Sequence, residues 1–181
     1  MSDKLEYNKL EISGEMLMPG FSVYLIEIKW KEERYFYLGM TGDPFYPSAR
    51  AAFHRISGHM ELSHHSTQNQ LYNALKVKYS ENKAEDINKA LCETNIIMHH
   101  FPITGFITWE GSKKADEVKQ NRNTPEYKRY HKRQECVEKL EDNLIYNLRE
   151  KLKKNLLNKT PGKPGIIDEE FKLIEKQINE I

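Results

Sequence analysis

Glu141 is the acidic residue whose position most strongly indicates chemistry. In the helical pattern over residues 125–158, steps of 100° place six apolar residues on one stripe, and Glu141 lies near the centre of that stripe. An unpaired, ionised carboxylate on a buried face costs several kcal/mol. Glu141 should therefore be paired with Lys or Arg, neutral through a raised pKa, exposed at a cleft, or bound to a cation. The stripe consists of Val137, Leu140, Leu144, Ile145, Leu148 and Leu152.

Two Arg and His pairs lie in a shorter helical segment earlier in the chain. Arg50 with His54, and Arg55 with His59, are each four residues apart and so stack on one helical face. An Arg beside a His can hold a phosphate from two directions, because the guanidinium offers a fork of donors and the imidazole donates or accepts a proton. Such spacing is also common in polar surface pairs, so the pattern leaves both interpretations open.

Several common functional motifs are missing from the sequence. It contains no GxxxxGK[ST] phosphate loop, no GxSxG elbow and no GxGxxG fingerprint, which excludes the commonest nucleotide-binding and hydrolase interpretations. The doublets His64-His65 and His99-His100 lack the spacing or the Cys partners of a transition-metal site. Cys92 and Cys136 have neither the number nor the spacing of a disulfide framework or a zinc site, and we expect both to be reduced.

Four short segments occur in a characteristic order. They are Ser22-Val23-Tyr24, then Tyr37-Leu38-Gly39-Met40-Thr41, then an Arg-x-x-x-His helix, then Leu140-Glu141-Asp142-Asn143-Leu144-Ile145. Taken together they resemble the GIY-YIG nuclease superfamily, over about residues 21 to 160, with Ser22 in place of the first Gly of the name motif. The last segment is similar to the Leu-Glu-x-Asn-Leu-Ile stretch in the nuclease domain of bacterial excision-repair enzymes. Its glutamate is Glu141, which the helical pattern singles out independently.

The resemblance implies a central three-stranded antiparallel sheet and divalent-metal-dependent hydrolysis of DNA phosphodiester bonds. By the motif match, Glu141 binds one Mg²⁺ or Mn²⁺ ion, and Tyr37 deprotonates or positions the attacking water. Tyr24 orients that water or the phosphate, and the helix Arg stabilises charge on the scissile phosphate. Hard oxygen ligands suit Mg²⁺, which lowers the pKa of bound water. A free tyrosine has a pKa near ~10, so Tyr37 acts as a base only if the metal or Arg lowers that pKa; otherwise it orients.

The family pattern distinguishes the two Arg and His pairs. Family members tend to have Arg, a large apolar residue, two variable residues, His and then an apolar residue. This pattern is matched by Arg55-Ile56-Ser57-Gly58-His59-Met60, whereas Arg50 is followed by the small residue Ala51. The resemblance therefore predicts that Arg55 and His59 are catalytic, and that Arg50 and His54 either contact DNA phosphates or support the catalytic residues from behind. His65, followed by Ser66, resembles a His-Ser pair of some members and is a further candidate DNA contact.

The segments between these motifs predict the elements that must position them. β-Branched and aromatic runs at residues 21–28 and 35–40 predict a β-hairpin. Further along, the pattern predicts helices at about 47–60, 68–79, 84–91 and 125–158, a strand or two within 95–109, and a last amphipathic helix from Asp168. This order indicates an α+β fold with a small antiparallel sheet flanked by helices.

We divide the chain into three parts. An N-terminal extension spans residues 1–20, a GIY-YIG-like domain spans 21–160 with a basic, helical insertion at 111–135, and a C-terminal helical segment spans 161–181. The apolar stripe of the last helix can dock on the core or form a dimer seam, so either a monomer or a homodimer is expected.

The distribution of charge suggests where DNA could be bound. The chain carries a net charge of +1, without the global basic footprint of a protein that coats nucleic acid. Residues 111–135 nevertheless contain eight Lys or Arg and four acids, and residues 149–163 contain six basic residues and one acid. From the first segment, Arg122, Arg129 and Arg133 are candidate contacts to double-stranded DNA. Charge runs also serve as solvated helix faces.

The expected function is that of a small, stand-alone, sequence-specific endonuclease, similar to the restriction branch of the superfamily. The alternatives are a structure-specific or repair nuclease, a non-catalytic DNA-binding module on the same scaffold, and a protein-interaction domain that uses the last helix. No apolar run approaches the ~18 residues needed to cross a bilayer, and the first residues have no signal-peptide pattern. We therefore expect a cytoplasmic protein without a membrane partner.

Overall fold

A computed structural model of the chain describes residues 10–42, 50–60, 69–82, 86–103 and 122–181. Within them lie β1 (Ser22–Trp30), β2 (Glu33–Met40), α1 (Ala52–His59), α2 (Gln70–Glu81), α3 (Ile87–Cys92), β3 (Asn95–Pro102), α4 (Pro125–Leu152) and α5 (Lys172–Glu180). Short 3-10 turns occur at Gly14–Leu17, Lys153–Asn155 and Glu169–Phe171. The predicted α+β class, with a small antiparallel sheet and a C-terminal helix, is confirmed. Among these helices none is both long and apolar enough to cross a membrane.

The sheet has the order β2-β1-β3, and both pairings are antiparallel. A two-residue turn joins β1 to β2, and Lys31 in this turn has a φ of 54°. The hairpin register places Tyr24 opposite Gly39 and Ile26 opposite Tyr37. Because side chains alternate between the faces of a sheet, Tyr24 and Tyr37 lie on the same face.

Both faces of the sheet are covered by helices. Odd-numbered residues of β1 pack against α4 and α5, whereas even-numbered residues pack against α1, α2 and α3. The first core includes Val23, Leu25, Leu38, Val137, Leu140, Leu144, Leu148, Ile174 and Ile178, and the second includes Tyr24, Ile26, Ile28, Leu71, Leu75 and Tyr79. The sheet therefore forms the middle of three layers.

The long helix ends earlier than the pattern predicts. It was expected to reach about Asn158, but α4 ends at Leu152, and the chain then runs beside the edge strand β2. Leu156 forms a parallel bridge with Phe36, and the backbone N–H of Leu157 donates to the Phe36 carbonyl at 2.7 Å. An edge strand presents backbone groups that need partners, so this segment leaves the helix to supply them.

Two other boundaries differ from the predictions. Helix α1 begins at Ala52 rather than near residue 47, and residues 43–49 lie outside the described part of the chain. Residues 95–109 were expected to hold one or two strands; β3 ends at Pro102, and residues 104–121 also lie outside the described part.

Helix α5 docks on the core. Phe171, Ile174 and Ile178 are buried against the α4 side of the sheet. The Lys151 ammonium also donates to the Asn179 carbonyl at 2.8 Å. Core docking therefore uses the apolar stripe that could otherwise have formed a dimer seam.

Glu27 is a buried carboxylate on the face that α4 and α5 cover. Its oxygen accepts a hydrogen bond from the Arg34 guanidinium and lies 3.3 Å from the Lys29 ammonium. The Arg34 hydrogen bond holds the pKa of Glu27 below its ordinary value, against the effect of burial. This ion pair gives Glu27 a structural role.

Candidate active site

Tyr24 lies at the centre of the site, on the middle strand, and is fully buried. Its ring lies over Gly39 of β2, where an added Cβ would be 2.4 Å from the Tyr24 Oη atom and 2.5 Å from Cζ. Gly39 is therefore required for the phenol to occupy this position. On the other side of Tyr24, the register places His100 of β3.

Helix α1 brings Arg55 and His59 to this phenol. The His59 Nε2 atom lies 2.9 Å from the Tyr24 Oη atom, and Arg55 is close enough for its charge to oppose the rise in the pKa of this phenol. The ring of Tyr37 lies 5.0 Å from the His59 ring, at an interplanar angle of 62°. The two tyrosines and the Arg and His pair that the family pattern favours thus meet in space, although they come from three elements.

Glu141 approaches the same group from α4. It is half-buried, and the backbone of Met40, at the end of β2, lies close enough to oppose the rise in its pKa. Burial raises the pKa of Glu141 to about 7; the charge of Asp142 adds to this shift and that of Arg55 opposes it. The sequence left open an ion pair, a raised pKa, exposure at a cleft or a bound cation for Glu141. In the structure its pKa is raised and Arg55 lies nearby.

Both phenols hold their protons firmly. Burial raises the pKa of Tyr24 to about 12, with Arg55 opposing the shift and Glu141 adding to it. Burial also raises the pKa of Tyr37, and the neighbouring Tyr24 and Glu141 add to that shift. The Tyr37 hydroxyl donates to the Gln70 Oε1 atom at 3.3 Å. In this arrangement each phenol acts as a neutral hydrogen-bonding group, which favours the orienting role for Tyr37.

Asn158 fixes the strand that carries Tyr37 and Gly39. Its Oδ1 atom accepts from the Leu38 N–H at 2.9 Å, and its Nδ2 atom donates to the Leu38 carbonyl at 2.7 Å. This amide therefore satisfies both outward-facing backbone groups of the residue between Tyr37 and Gly39. Asn158 was not among the residues predicted from the sequence. The available signal was the apolar pair Leu156-Leu157 before it, in an otherwise polar stretch.

The second Arg and His pair lies on the surface. The Arg50 Nη1 and His54 Nε2 atoms are 3.3 Å apart in an exposed contact, and Arg50 precedes the start of α1. The two residues therefore pair with each other, whereas Arg55 and His59 contact the central phenol. His65 lies outside the described residues.

The predicted DNA contacts near the start of α4 differ in their surroundings. Arg122 and Arg129 are exposed. Arg133 forms an ion pair with Glu170 at 2.6 Å, and its guanidinium lies 5.2 Å from the centre of the Phe171 ring. The Arg133 side chain therefore ties α4 to the segment that precedes α5.

The donor set suits a magnesium ion with few protein ligands. In the described part of the chain, no group of three or more His, Cys, Asp or Glu side chains is arranged to hold a metal. Mg²⁺ keeps several waters and commonly uses one or two carboxylates together with substrate phosphates. Glu141 is a desolvated carboxylate without a lysine partner among the described residues, so it fits such a site.

Comparisons with known proteins give no match: no family model, no curated protein and no solved structure matches the chain. Any assignment of function therefore depends on the geometry of the site and on the order of its residues along the chain.

Proposed function

We propose that the chain is a metal-dependent endonuclease that hydrolyses DNA phosphodiester bonds. The observation that carries the proposal is the meeting of Tyr24, Tyr37, Arg55, His59 and Glu141 at one end of the sheet. They come from β1, β2, α1 and α4, and each is a residue that the GIY-YIG motifs imply. A chance set of polar residues would not be expected to converge in this way.

Arg55 is suited to hold the scissile phosphate. Its Nε atom is buried and has no hydrogen-bond partner in the described part of the chain, and its charge acts on the Tyr24 phenol. A buried, unpaired donor is costly, and a phosphate oxygen would satisfy it with a charge-assisted hydrogen bond. The same contact would stabilise the extra negative charge that develops on the phosphate in the transition state.

Glu141 would hold the metal ion. A cation beside this carboxylate would favour its ionised form and offset the penalty that burial imposes. When bound, the ion would neutralise charge on the phosphate and lower the pKa of a water molecule.

Tyr24 and His59 offer a path for the proton of the attacking water. As the water oxygen bonds to phosphorus, the water proton passes to the Tyr24 oxygen, and the Tyr24 proton passes to the His59 Nε2 atom at 2.9 Å. The phenol remains neutral throughout, which agrees with its raised pKa. The bond from phosphorus to the leaving oxygen breaks, and that oxygen keeps the electron pair and takes a proton from solvent water. Tyr37 orients the attacking water.

The test is cleavage of plasmid and phage DNA with Mg²⁺ and with a chelator. Glu141→Gln keeps the shape of the side chain and should lower the cleavage rate by at least ~10²-fold while duplex DNA is still bound. Glu138→Gln is the matched control, because this exposed residue lies one turn earlier on α4 and the substitution removes the same charge. The cleavage rate of Glu138→Gln should stay within about twofold of the parent rate, because a surface substitution of this kind has a much smaller effect than the loss of a catalytic group.

The outcomes separate the alternatives. Discrete fragments would indicate a sequence-specific, restriction-type enzyme, and a featureless smear would indicate a nonspecific or structure-specific one. Binding without cutting by the parent and by Glu141→Gln would identify a DNA-binding module. Failure to retain DNA even at low salt, where phosphate contacts are strongest, would overturn a nucleic-acid function altogether.

A further inference from the structure

The segment that follows α4 has an unusual charge composition. Residues 151–167 contain five lysines and no acidic residue, in a chain whose net charge is only +1. None of the five residues assigned a catalytic role lies in this segment. Its lysines are Lys151, Lys153, Lys154, Lys159 and Lys163.

This segment borders the candidate active site at two points. Asn158 binds the backbone of β2 between the two site residues Tyr37 and Gly39, and Lys159 follows it directly. The chain then returns to α4, where the Lys163 N–H donates to the Asp142 carbonyl at 3.1 Å. The loop Lys159–Lys163 therefore runs from the strand that carries Tyr37 to the turn of α4 that carries Glu141.

The loop is held in place although most of it is exposed. The Arg149 Nη2 atom donates to the carbonyls of Asn158 and Thr160, both at 2.6 Å. Gly162 has a φ of 72°, and an added Cβ would lie 2.3 Å from the Asp142 carbonyl oxygen. A loop fixed before binding loses less conformational entropy when it binds, so this rigidity favours a role in recognition.

Three of the five lysines of the segment have no acidic partner in the described part of the chain, and the other two are only partly engaged. Lys153, Lys154 and Lys159 are exposed, and no ion pair to an acid involves them in the described part of the chain. The Lys163 side chain is 85% exposed, and its ammonium lies 3.9 Å from an Asp142 carboxylate oxygen. Neighbouring like charges repel each other, so an anionic partner would stabilise this arrangement.

Two lysines outside the segment, on α5, also have acidic partners, in both cases within three or four residues along the chain. Lys172 pairs with Glu169, and Lys176 lies 3.9 Å from Glu180. They have the same side-chain chemistry and comparable exposure, but they do not border the candidate site. They provide an internal comparison for the loop.

We propose that Lys159 and Lys163 bind the phosphate backbone of duplex DNA next to the scissile bond. This inference rests on the proposed nuclease function. Lysine ammonium groups contact phosphates as point charges and carry no sequence information, so the loop contributes affinity and orientation. It supplies a second contact surface, distinct from the arginines at the start of α4.

The experiment measures the affinity for a duplex oligonucleotide as a function of salt in the Glu141→Gln background, which avoids cleavage. Each lost phosphate contact lowers the slope of log K against log [salt] by about 0.9. Lys159→Gln with Lys163→Gln should therefore reduce the slope by about 1.8, so the affinity lost between 50 and 200 mM salt becomes about tenfold smaller. The matched control, Lys172→Gln with Lys176→Gln, should leave the slope unchanged.

Each result has a defined meaning. An unchanged slope in the loop variant, or equal changes in both double variants, would overturn the loop inference while leaving the nuclease proposal in place. No DNA binding by the Glu141→Gln parent at low salt would overturn both. A melting temperature equal to that of the parent shows that the loop substitutions leave the fold intact. If the double variant unfolds, the single variants Lys159→Gln and Lys163→Gln give a second measurement, and each should lower the slope by about 0.9.

Discussion

Replacing Gly39 with alanine tests the packing that places the Tyr24 phenol. The new Cβ would lie 2.4 Å from the Tyr24 Oη atom, and this atom would have to move by at least about 0.6 Å to reach the 3.0 Å limit that real contacts respect. A shift of this size is large compared with the distance range of a hydrogen bond, so it would disturb the 2.9 Å contact between the Tyr24 Oη and His59 Nε2 atoms.

Two quantities follow from this displacement. Overpacking a buried site costs about 1–3 kcal/mol, which for a domain of this size lowers the melting temperature by about 2–12 °C. A misplacement of this order at a catalytic group lowers the rate by up to ~10²-fold. Without a clash, alanine in a strand is more stable than glycine by about 0.5–1 kcal/mol. A clash therefore predicts a lower melting temperature for Gly39→Ala, whereas free space at this position predicts a higher one.

The assay is thermal unfolding together with single-turnover cleavage of DNA. Gly14→Ala is the control, because an added Cβ at Gly14 meets nothing within 4 Å. If Gly39→Ala melts at or above the temperature of the Gly14→Ala variant and cuts DNA equally fast, the packing argument for Gly39 is refuted.

Three further predictions concern the strand edge, the buried ion pair and the choice of arginine. Asn158→Ala leaves two backbone groups of β2 unpaired and should lower the free energy of unfolding by about 2–4 kcal/mol in urea, whereas a loss below 1 kcal/mol would argue against the clamp. Because Arg34 lowers the pKa of Glu27, their pairing stabilises the fold above the unfolded pKa of about 4.3 and is lost as the pH falls through the folded value. Glu27→Gln should flatten the decline of stability measured in urea from pH 5 downward, and an unaltered decline would contradict this. Arg55→Ala should lower the cleavage rate constant by about 10- to 100-fold while Arg50→Ala changes it little, and equal effects would contradict the assignment.

Local patterns in the sequence account for much of the fold. Runs of β-branched and aromatic residues predicted the hairpin, and helical periodicity predicted α4 and the buried face of α5. These predictions hold because the side-chain period of a strand or helix follows from the backbone itself. The same periodicity singled out Glu141, since a carboxylate on an apolar stripe is anomalous wherever the helix packs.

The boundary errors have a different origin. Local propensity would allow α4 to continue to Asn158, but the exposed edge of β2 pairs with the backbone of residues 156–157 and with the Asn158 side chain. A sequence window around the end of the helix contains no information about a strand more than a hundred residues earlier.

The order of the motifs along the chain predicted which residues could form a site, and the amino-acid sequence by itself determined their types. Only the tertiary structure decided that Tyr24 lies over Gly39, that His59 rather than His54 contacts this phenol, and that Asn158 holds the edge of β2. These contacts depend on the register of two strand pairs and on how three layers pack. Both are set by the summed burial and hydrogen bonding of distant segments, which no local period encodes.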